Sequence, residues 1–256
     1  MSLSGRIALV TGASRGIGRA IALGLAADGA DIAVNYRRED TEAEKVVAEI
    51  KALGRKAAAY KASVDNIEED ASMIERIKNE LGPISILVNN AGIASRGNTV
   101  ADTDPQEMQR VLGVHALAPF YLSKLVLPQM RTQKRGDIIV ISSVATLGYA
   151  GRGSPYNMGK AAGEALAYTL AKEEKGNNIY VNVVAPPLTD TDMGQRLAKS
   201  RGVTEIHDLD KNSPFGHVCA PEDIANVVRY LVSPLNTYVS GEKITVHGAA
   251  DRAGFA

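Results

Sequence analysis

Ser143, Tyr156 and Lys160 are the residues of this chain whose types and spacing can do acid–base chemistry. They sit in the stretch ISSVATLGYAGRGSPYNMGK, residues 141–160. Lys160 follows Tyr156 by four residues, which on a helix places the two on one face. A fixed ammonium beside a phenol favours the phenolate and lowers its pKa from about 10. The spacing therefore predicts a tyrosine able to give or take a proton near neutral pH. Ser154 reads as a helix N-cap and Pro155 as the first helical residue, so a helix is expected to start there. Ser143 follows a strand-like run from Asp137 to Ile141, where a sheet would present its C-terminal edge.

The elements that must position these groups are readable on both sides. Arg6 to Thr11 is a short apolar run, as in a strand buried on both faces. It leads into the glycine turn Gly12-Ala13-Ser14-Arg15-Gly16-Ile17-Gly18 and a segment with helical spacing to Ala27. Glycines let a backbone approach a ligand, and a helix N-terminus favours an anion. The spacing Gly-x-x-x-Gly-x-Gly differs from the common dinucleotide fingerprint. Asp31 to Tyr36 reads as a second strand ending in Arg37-Arg38. In a dinucleotide fold an acid at that tip would bond the ribose 2′-hydroxyl, whereas an arginine suits a 2′-phosphate. Further strands are expected at Lys56 to Ala62, Ser85 to Val88, Asp137 to Ile141, Ile179 to Val184 and Glu242 to Val246. Helices are expected between them, including one long helix from Asp104-Pro105 to about Lys134. Such alternation implies an α/β fold with a parallel, doubly wound sheet, whose ligands bind beyond the carboxyl ends of the strands. The glycine turn, Arg37, Asn89 to Gly92, Ser143 and Pro186 to Thr191 all follow strand ends. One domain, residues 1–256, is expected, with residues 188–218 as a lid over the site.

Bulk properties narrow the classes. At 256 residues and 45% hydrophobic content the chain can bury a sizeable core. Lys+Arg and Asp+Glu both number 29, so no global field points to nucleic acid or membrane. The single cysteine, Cys219, allows no intrachain disulfide and suits a reducing compartment. No apolar run approaches the roughly 18 residues of a membrane span, and the strand-like run at Arg6 leaves no room for a signal peptide. The expected location is cytoplasmic. Nothing calls for a metal.

Thr11 to Gly18, Asn89-Asn90-Ala91-Gly92, Ser143 thirteen residues before Tyr156, and Tyr156-x-x-x-Lys160 together resemble the short-chain dehydrogenase/reductase family. The resemblance runs from Gly5 to about Gly248. It implies a single-domain Rossmann-like fold with a seven-stranded parallel sheet flanked by helices, and NAD(P)-dependent oxidoreduction. By that resemblance Tyr156 is the general acid/base, Lys160 lowers its pKa and bonds the nicotinamide ribose, and Ser143 holds the substrate oxygen. Gly12, Ser14, Arg15, Gly16, Ile17 and Gly18 would hold the pyrophosphate end. Tyr36, Arg37, Ser63, Val64, Asn89, Ala91 and Gly92 would line the adenosine and ribose. Pro186, Leu188 and Thr191 would meet the carboxamide and phosphate. The Tyr36-Arg37 tip resembles members that prefer NADP(H), with NAD(H) possible as well. Members are commonly homotetramers.

Four departures from the family pattern matter. His115 stands where an asparagine usually supports a water of the proton relay; its imidazole can hold or replace that water, or simply pack. Ser63 replaces an acid near the end of strand three. Pro186-Pro187 replaces Pro-Gly and would stiffen the lid hinge. Val246-His247-Gly248 lacks the usual acid before the glycine.

The residues expected to face substrate are Ala94, Ser95, Arg96, Val144, Leu147, Tyr149 and the lid, which suggest a mostly apolar pocket. The nearest resemblance is to 3-oxoacyl-thioester reductases. Lys134 and Arg135 fit one basic docking place for a carrier protein, but Asn177 stands where another arginine is expected. A small ketone or secondary alcohol is preferred over a carrier- or CoA-bound acyl chain. The rival classes are a catalytically silent NADP(H) sensor and a dehydratase or epimerase on a similar fold.

Overall fold

Seven short strands lie side by side in the order β3-β2-β1-β4-β5-β6-β7, every pair parallel. The computed structural model describes residues 2–250. In chain order the elements are β1 (Ile7–Val10), α1 (Gly16–Ala27), β2 (Asp31–Tyr36), α2 (Asp40–Ala52), β3 (Ala57–Lys61), α3 (Ile67–Glu80) and β4 (Ile86–Asn89). Then come α4 (Pro105–Leu112), a π-helical turn (Gly113–Leu117), α5 (Ala118–Met130), β5 (Gly136–Ile141), α6 (Ala145–Gly148) and α7 (Ser154–Glu174). Last are β6 (Ile179–Ala185), α8 (Asp192–Ser200), α9 (Pro221–Val232) and β7 (Lys243–Thr245).

The continuous apolar runs of β1, β4 and β5 are buried along their whole length because helices cover both sheet faces. One core lies under α1, α2 and α9, and includes Ile21, Leu25, Val46, Ile50, Val228 and Leu231. The other lies under α3, α5 and α7, with Tyr60, Ile77, Leu122, Val126 and Leu170. The strand order reverses between β1 and β4, so a crevice opens at their carboxyl ends. This is the doubly wound parallel sheet that the alternation of elements implies, with the seven strands of the Rossmann-like fold that the family resemblance implies.

Three local expectations change. The long helix does not run unbroken to about Lys134; it ends at Met130 and widens into a π turn at Gly113–Leu117. Pro119 has no N–H to give the His115 carbonyl, and its ring crowds that oxygen, so the regular α ladder cannot pass. α7 is preceded by Gly153 rather than capped by Ser154, which with Pro155 occupies the first helical positions without a side-chain cap. The helical span Pro105–Met130 is also long and apolar enough to cross a bilayer by length and composition alone. With 56% of its apolar window buried inside the protein, it is a core helix of this sheet.

Residues 188–218 leave the sheet after β6. They hold α8, a 3₁₀ stretch Ile206–Asn212 and a shorter one at Pro214–Gly216. Their own small cluster joins Ala198, Ile206 and Val218 to Leu188, Val203 and Leu209. A single parallel bridge between Thr189 and Cys219 draws the two ends of the excursion together.

Candidate active site

The crevice is fastened by polar ties between two strand-end loops. Thr11 Oγ1 accepts the N–H groups of Asn90 and Ala91, both at 2.9 Å. Asn90 Nδ2 donates back to Thr11 O at 2.8 Å, and Asn35 Oδ1 accepts from Gly12 N at 3.2 Å. Gly12 and Gly16 have φ of +62° and +54°, which glycine adopts without strain. A Cβ on Gly18 would lie 2.4 Å from Gly12 O, so the turn closes only around glycine.

These residues fit a dinucleotide. The first turn of α1 has no side-chain cap, leaving its N-terminal amides for an anion. A Cβ on Gly12 would reach 3.0 Å from Ala91 Cα, and one on Gly16 would reach 3.1 Å from Thr191 Cγ2, so both sides of the cradle are bare backbone. The buried side chain of Asn89 has no hydrogen-bond partner among the described residues on either its oxygen or its nitrogen. Ser14 is buried within the turn, and Ile17 is half-buried against the core. Arg15 is exposed and reaches Asp192, the first residue of α8, at 3.2 Å.

At the tip of β2, Arg37, Arg38, Lys61, Ala62, Ser63 and Glu69 line a cleft of about 540 Å³. Tyr36 is buried and donates its hydroxyl to Asp40 at 3.0 Å, while Lys61 pairs with the same carboxylate at 3.1 Å. Lys61 was not among the residues singled out by sequence. Its place follows from the β2–β3 register, which pairs Tyr36 with Lys61. Ser63 donates to Asp65 at 2.5 Å, and its N–H donates to Glu69 at 2.7 Å. Val64 is buried in the core beneath α3. On the far side, Pro186 O accepts from Val144 N at 3.0 Å, tying the start of the lid to the Ser143 turn. Leu188 packs into the lid cluster, and Thr191 caps α8 by accepting Gly194 N at 3.0 Å.

Ser143, Tyr156, Lys160 and His115 come together where β5, α7 and the π turn meet. Lys160 is buried and donates to Ile141 O at 2.7 Å. Its Nζ is 5.7 Å from the centre of the Tyr156 ring. Burial lowers the Lys160 pKa to about 8, with Glu164 acting against it. Burial raises the Tyr156 pKa, and the hydroxyl of Ser143 works in the opposite sense. The expected lowering of Tyr156 by Lys160 is thus not the dominant effect here, because the ammonium is directed at the Ile141 carbonyl and the phenol is desolvated.

The edge of the His115 ring meets Tyr156, with centroids 5.1 Å apart at 76°. Its Nε2 lies 2.8 Å from Ile93 O and 3.2 Å from Ile93 N. We assign the ring proton to Nε2 on the shorter contact, which leaves Nδ1 as the acceptor. Burial, and next the Lys160 charge, lower the His115 pKa to about 3, so the imidazole is neutral at physiological pH. Two glycines of α7 admit the π turn: a Cβ on Gly159 would lie 2.8 Å from His115 Cβ, and one on Gly163 would lie 3.0 Å from His115 O.

The residues expected at the substrate side differ in character. Val144 is buried, Leu147 half-buried and Tyr149 57% exposed in a left-handed conformation at φ 49°. Ala94 and Arg96 are exposed, with Ser95 half-buried between them. Arg96 N donates to Glu107 at 2.5 Å, and the guanidinium lies 3.9 Å from that carboxylate. Arg135 is mostly buried at the opposite edge of the sheet and held by Asp137, whereas its neighbour Lys134 is exposed.

Residues 6–202 match the family described as short chain dehydrogenase. The chain is 37% identical over 249 residues to a 3-oxoacyl-[acyl-carrier-protein] reductase from Synechocystis sp., covering 96% of this chain and 97% of the relative. A short chain dehydrogenase from Burkholderia cenocepacia, solved in complex with NADP, is 33% identical with a TM-score of 0.87, over 97% of this chain and 98% of that one. A 7α-hydroxysteroid dehydrogenase complexed with NADH and 7-oxo glycochenodeoxycholic acid is also 33% identical, with a TM-score of 0.88 over 98% and 96%. The chain belongs to the short-chain dehydrogenase/reductase family. Within it, this protein is an NAD(P)-dependent oxidoreductase acting between ketones and secondary alcohols.

Proposed function

We propose that this enzyme reduces a small, largely apolar ketone with NADPH, or oxidises the matching secondary alcohol, using Tyr156 as general acid/base. The observation that carries the reading is the meeting of Tyr156, Ser143 and buried Lys160 beside the crevice opened by the glycine turn.

A bound nicotinamide supplies or takes up the hydride at the carbinol carbon. The chain's own groups do the rest. Gly12 to Gly18, Ser14 included, hold the anionic centre of the cofactor at the N-terminus of α1. Asn89, Ala91 and Gly92 meet its ribose side, Ser63 and Val64 the adenine side, and Pro186, Leu188 and Thr191 the nicotinamide side. Ser143 Oγ hydrogen-bonds the substrate oxygen. Tyr156 gives that oxygen its proton on reduction and takes it back on oxidation. The Lys160 ammonium favours the phenolate that remains and bonds the nicotinamide ribose. His115, through Nδ1, holds the water that returns the proton from bulk solvent.

Preference for NADP(H) is supported by three cations, Arg37, Arg38 and Lys61, around one cleft, with no acid at the β2 tip before Glu39. A small substrate is supported by Val144, Leu147 and Tyr149 and by the engagement of Arg96 with Glu107 and Arg135 with Asp137. A carrier- or CoA-bound 3-oxoacyl thioester is the second reading, favoured by the named activity of the relative from Synechocystis sp.. Residues 188–218 act as the lid of the single domain. A homotetramer is supported by the exposed Leu117, Phe120 and Met158 along the long helices and by Leu235 and Tyr238 near β7. A cytoplasmic location fits the lone thiol, Cys219.

The test is oxidation of NADPH and NADH over a panel of cyclic and open-chain ketones and a 3-oxoacyl thioester, repeated with Tyr156→Phe. The expected result is turnover of ketones with NADPH and a loss of about 10²–10⁴-fold in kcat for the variant. Full activity in Tyr156→Phe sinks the assignment. Tight NADPH binding without turnover on any carbonyl favours the sensor class, and turnover of the thioester alone favours the second reading.

A further inference from the structure

Glu164 is a buried carboxylate one helical turn beyond Lys160. Its Oε1 accepts from Ser142 Oγ at 2.5 Å and from Thr146 Oγ1 at 2.7 Å, and it lies 2.8 Å from Lys243 Nζ. Lys243 comes from β7 and also donates to Thr146 Oγ1 at 2.5 Å. Three separate elements therefore converge on one carboxylate: the end of β5 with its turn, the helix of Tyr156, and the last strand.

The placement is specific to the catalytic turn. Ser142 directly precedes Ser143, and Thr146 lies three residues after it. Thr146 Oγ1 is also 2.8 Å from Ser143 O. Lys160 and Glu164, four residues apart on α7, grip Ile141 and Ser142, which are consecutive at the end of β5. The charged and titratable groups around the pair are Tyr156 and Tyr168 on α7, His115 on the π turn and Lys243 on β7. Glu164 is the carboxylate that acts on Lys160.

We propose that Glu164 is a positioning residue for the reaction: it fixes the turn that carries Ser143, and its negative charge keeps Lys160 an ammonium beside Tyr156. This inference rests on the roles given above to Ser143, Tyr156 and Lys160. The alternative is that Glu164 only neutralises Lys243 in a structural pair. The two separate in Glu164→Gln/Lys243→Met, which removes both charges and keeps a hydrogen-bond acceptor at 164.

The experiment measures melting temperature, NADPH Kd and the pH profile of kcat for wild type, this double variant and Glu164→Gln alone. With the Lys160 ammonium present below about pH 8 and lost above it, the wild-type rate is expected to fall as pH rises through that value. The double variant is expected to keep the wild-type Kd and to lose about tenfold in kcat, whereas Glu164→Gln alone, which leaves Lys243 unopposed, is expected to displace the high-pH limb downward, since losing an opposite charge disfavours the ammonium. A wild-type kcat in a folded double variant, or an unmoved limb in a folded Glu164→Gln, overturns the proposal. Should either variant fail to fold, Glu164→Asp retains the charge on a shorter arm: the limb is expected to stay while kcat falls, and a wild-type kcat there overturns it. If Tyr156→Phe is inactive while the Glu164 variants behave as wild type, only this inference fails and the function stands.

Discussion

The two edges of the sheet follow opposite electrostatic rules. At the amino edge, Asp137 receives Arg6 at 2.7 Å and Arg135 at 2.8 Å. Arg6 further donates to Val232 O and Ser85 O, and Arg135 to Asn236 O and Leu231 O. Burial raises the Asp137 pKa, and the two guanidiniums oppose that rise. Nearby, Asp28 is held by two bonds from Arg229, and Glu174 by two from Arg131. At the carboxyl edge one ion pair, Glu164 with Lys243 at 2.8 Å, stands beside buried groups that have no counter-charge in contact among the described residues. Lys160 meets a carbonyl and is lowered to about 8, His115 is neutral, and the Asn89 amide is without a partner among the described residues. Paired buried charges are costly to disturb and hold a fold; Lys160, with no counter-ion in contact among the described residues, sits close to changing protonation, as the proposed chemistry requires.

The sharpest way to break that contrast is to exchange the consequences. Asp137→Ala strands two partly buried arginines and is expected to cost about 3–5 kcal/mol of stability. Denaturant unfolding followed by tyrosine fluorescence measures this, and the protein that remains folded is expected to keep its kcat. Tyr156→Phe should do the reverse, with activity lost and stability kept. If Asp137→Ala instead left stability intact while lowering kcat, the division between the edges would be wrong.

The cleft at the tip of β2 sharpens the contrast further, because Arg37 and Arg38 are exposed there while Lys61 is held by Asp40. Arg37→Ala removes a charge-assisted hydrogen bond worth about 1.5–3 kcal/mol. It is therefore expected to raise the KM for NADPH by about tenfold to a hundredfold. The KM for NADH should hardly change. Equal changes for both cofactors would remove Arg37 from the 2′-phosphate site.

The architecture was legible because parallel strands buried on both faces must be continuous apolar runs, as at β1, β4 and β5. The proposed chemical residues could be picked out because Tyr156 and Lys160 are close in sequence and Ser143 follows a strand. What stayed hidden depends on register and on distant partners. Lys61 joins the cleft through pairing of β2 with β3, and Glu164 gains its meaning from Lys243 on the last strand. The π turn was invisible because apolar periodicity continues through it, and only Pro119 marks the lost helical bond. The sign of the Tyr156 shift needed burial, which spacing alone does not supply.

The smallest expected effect concerns His115, the group at the carboxyl edge that neither pairs nor titrates in the working range. With its pKa lowered to about 3, the imidazole is neutral from about pH 5 upward, so its own ionisation cannot shape the rate profile there. A neutral imidazole still passes a proton by accepting on one nitrogen and donating from the other, and here Nε2 is occupied by Ile93 O while Nδ1 is the acceptor. His115→Asn keeps a donor and an acceptor but shortens the side chain beside Tyr156, and Gly159 leaves room for the change. The expected outcome is a loss of several-fold in kcat, within the 10²–10⁴-fold ceiling for acid–base groups. The high-pH limb near 8 should stay in place, since Lys160 sets it. A rate and profile both equal to wild type would show that His115 only packs against Tyr156, and the proton would then reach solvent by another route.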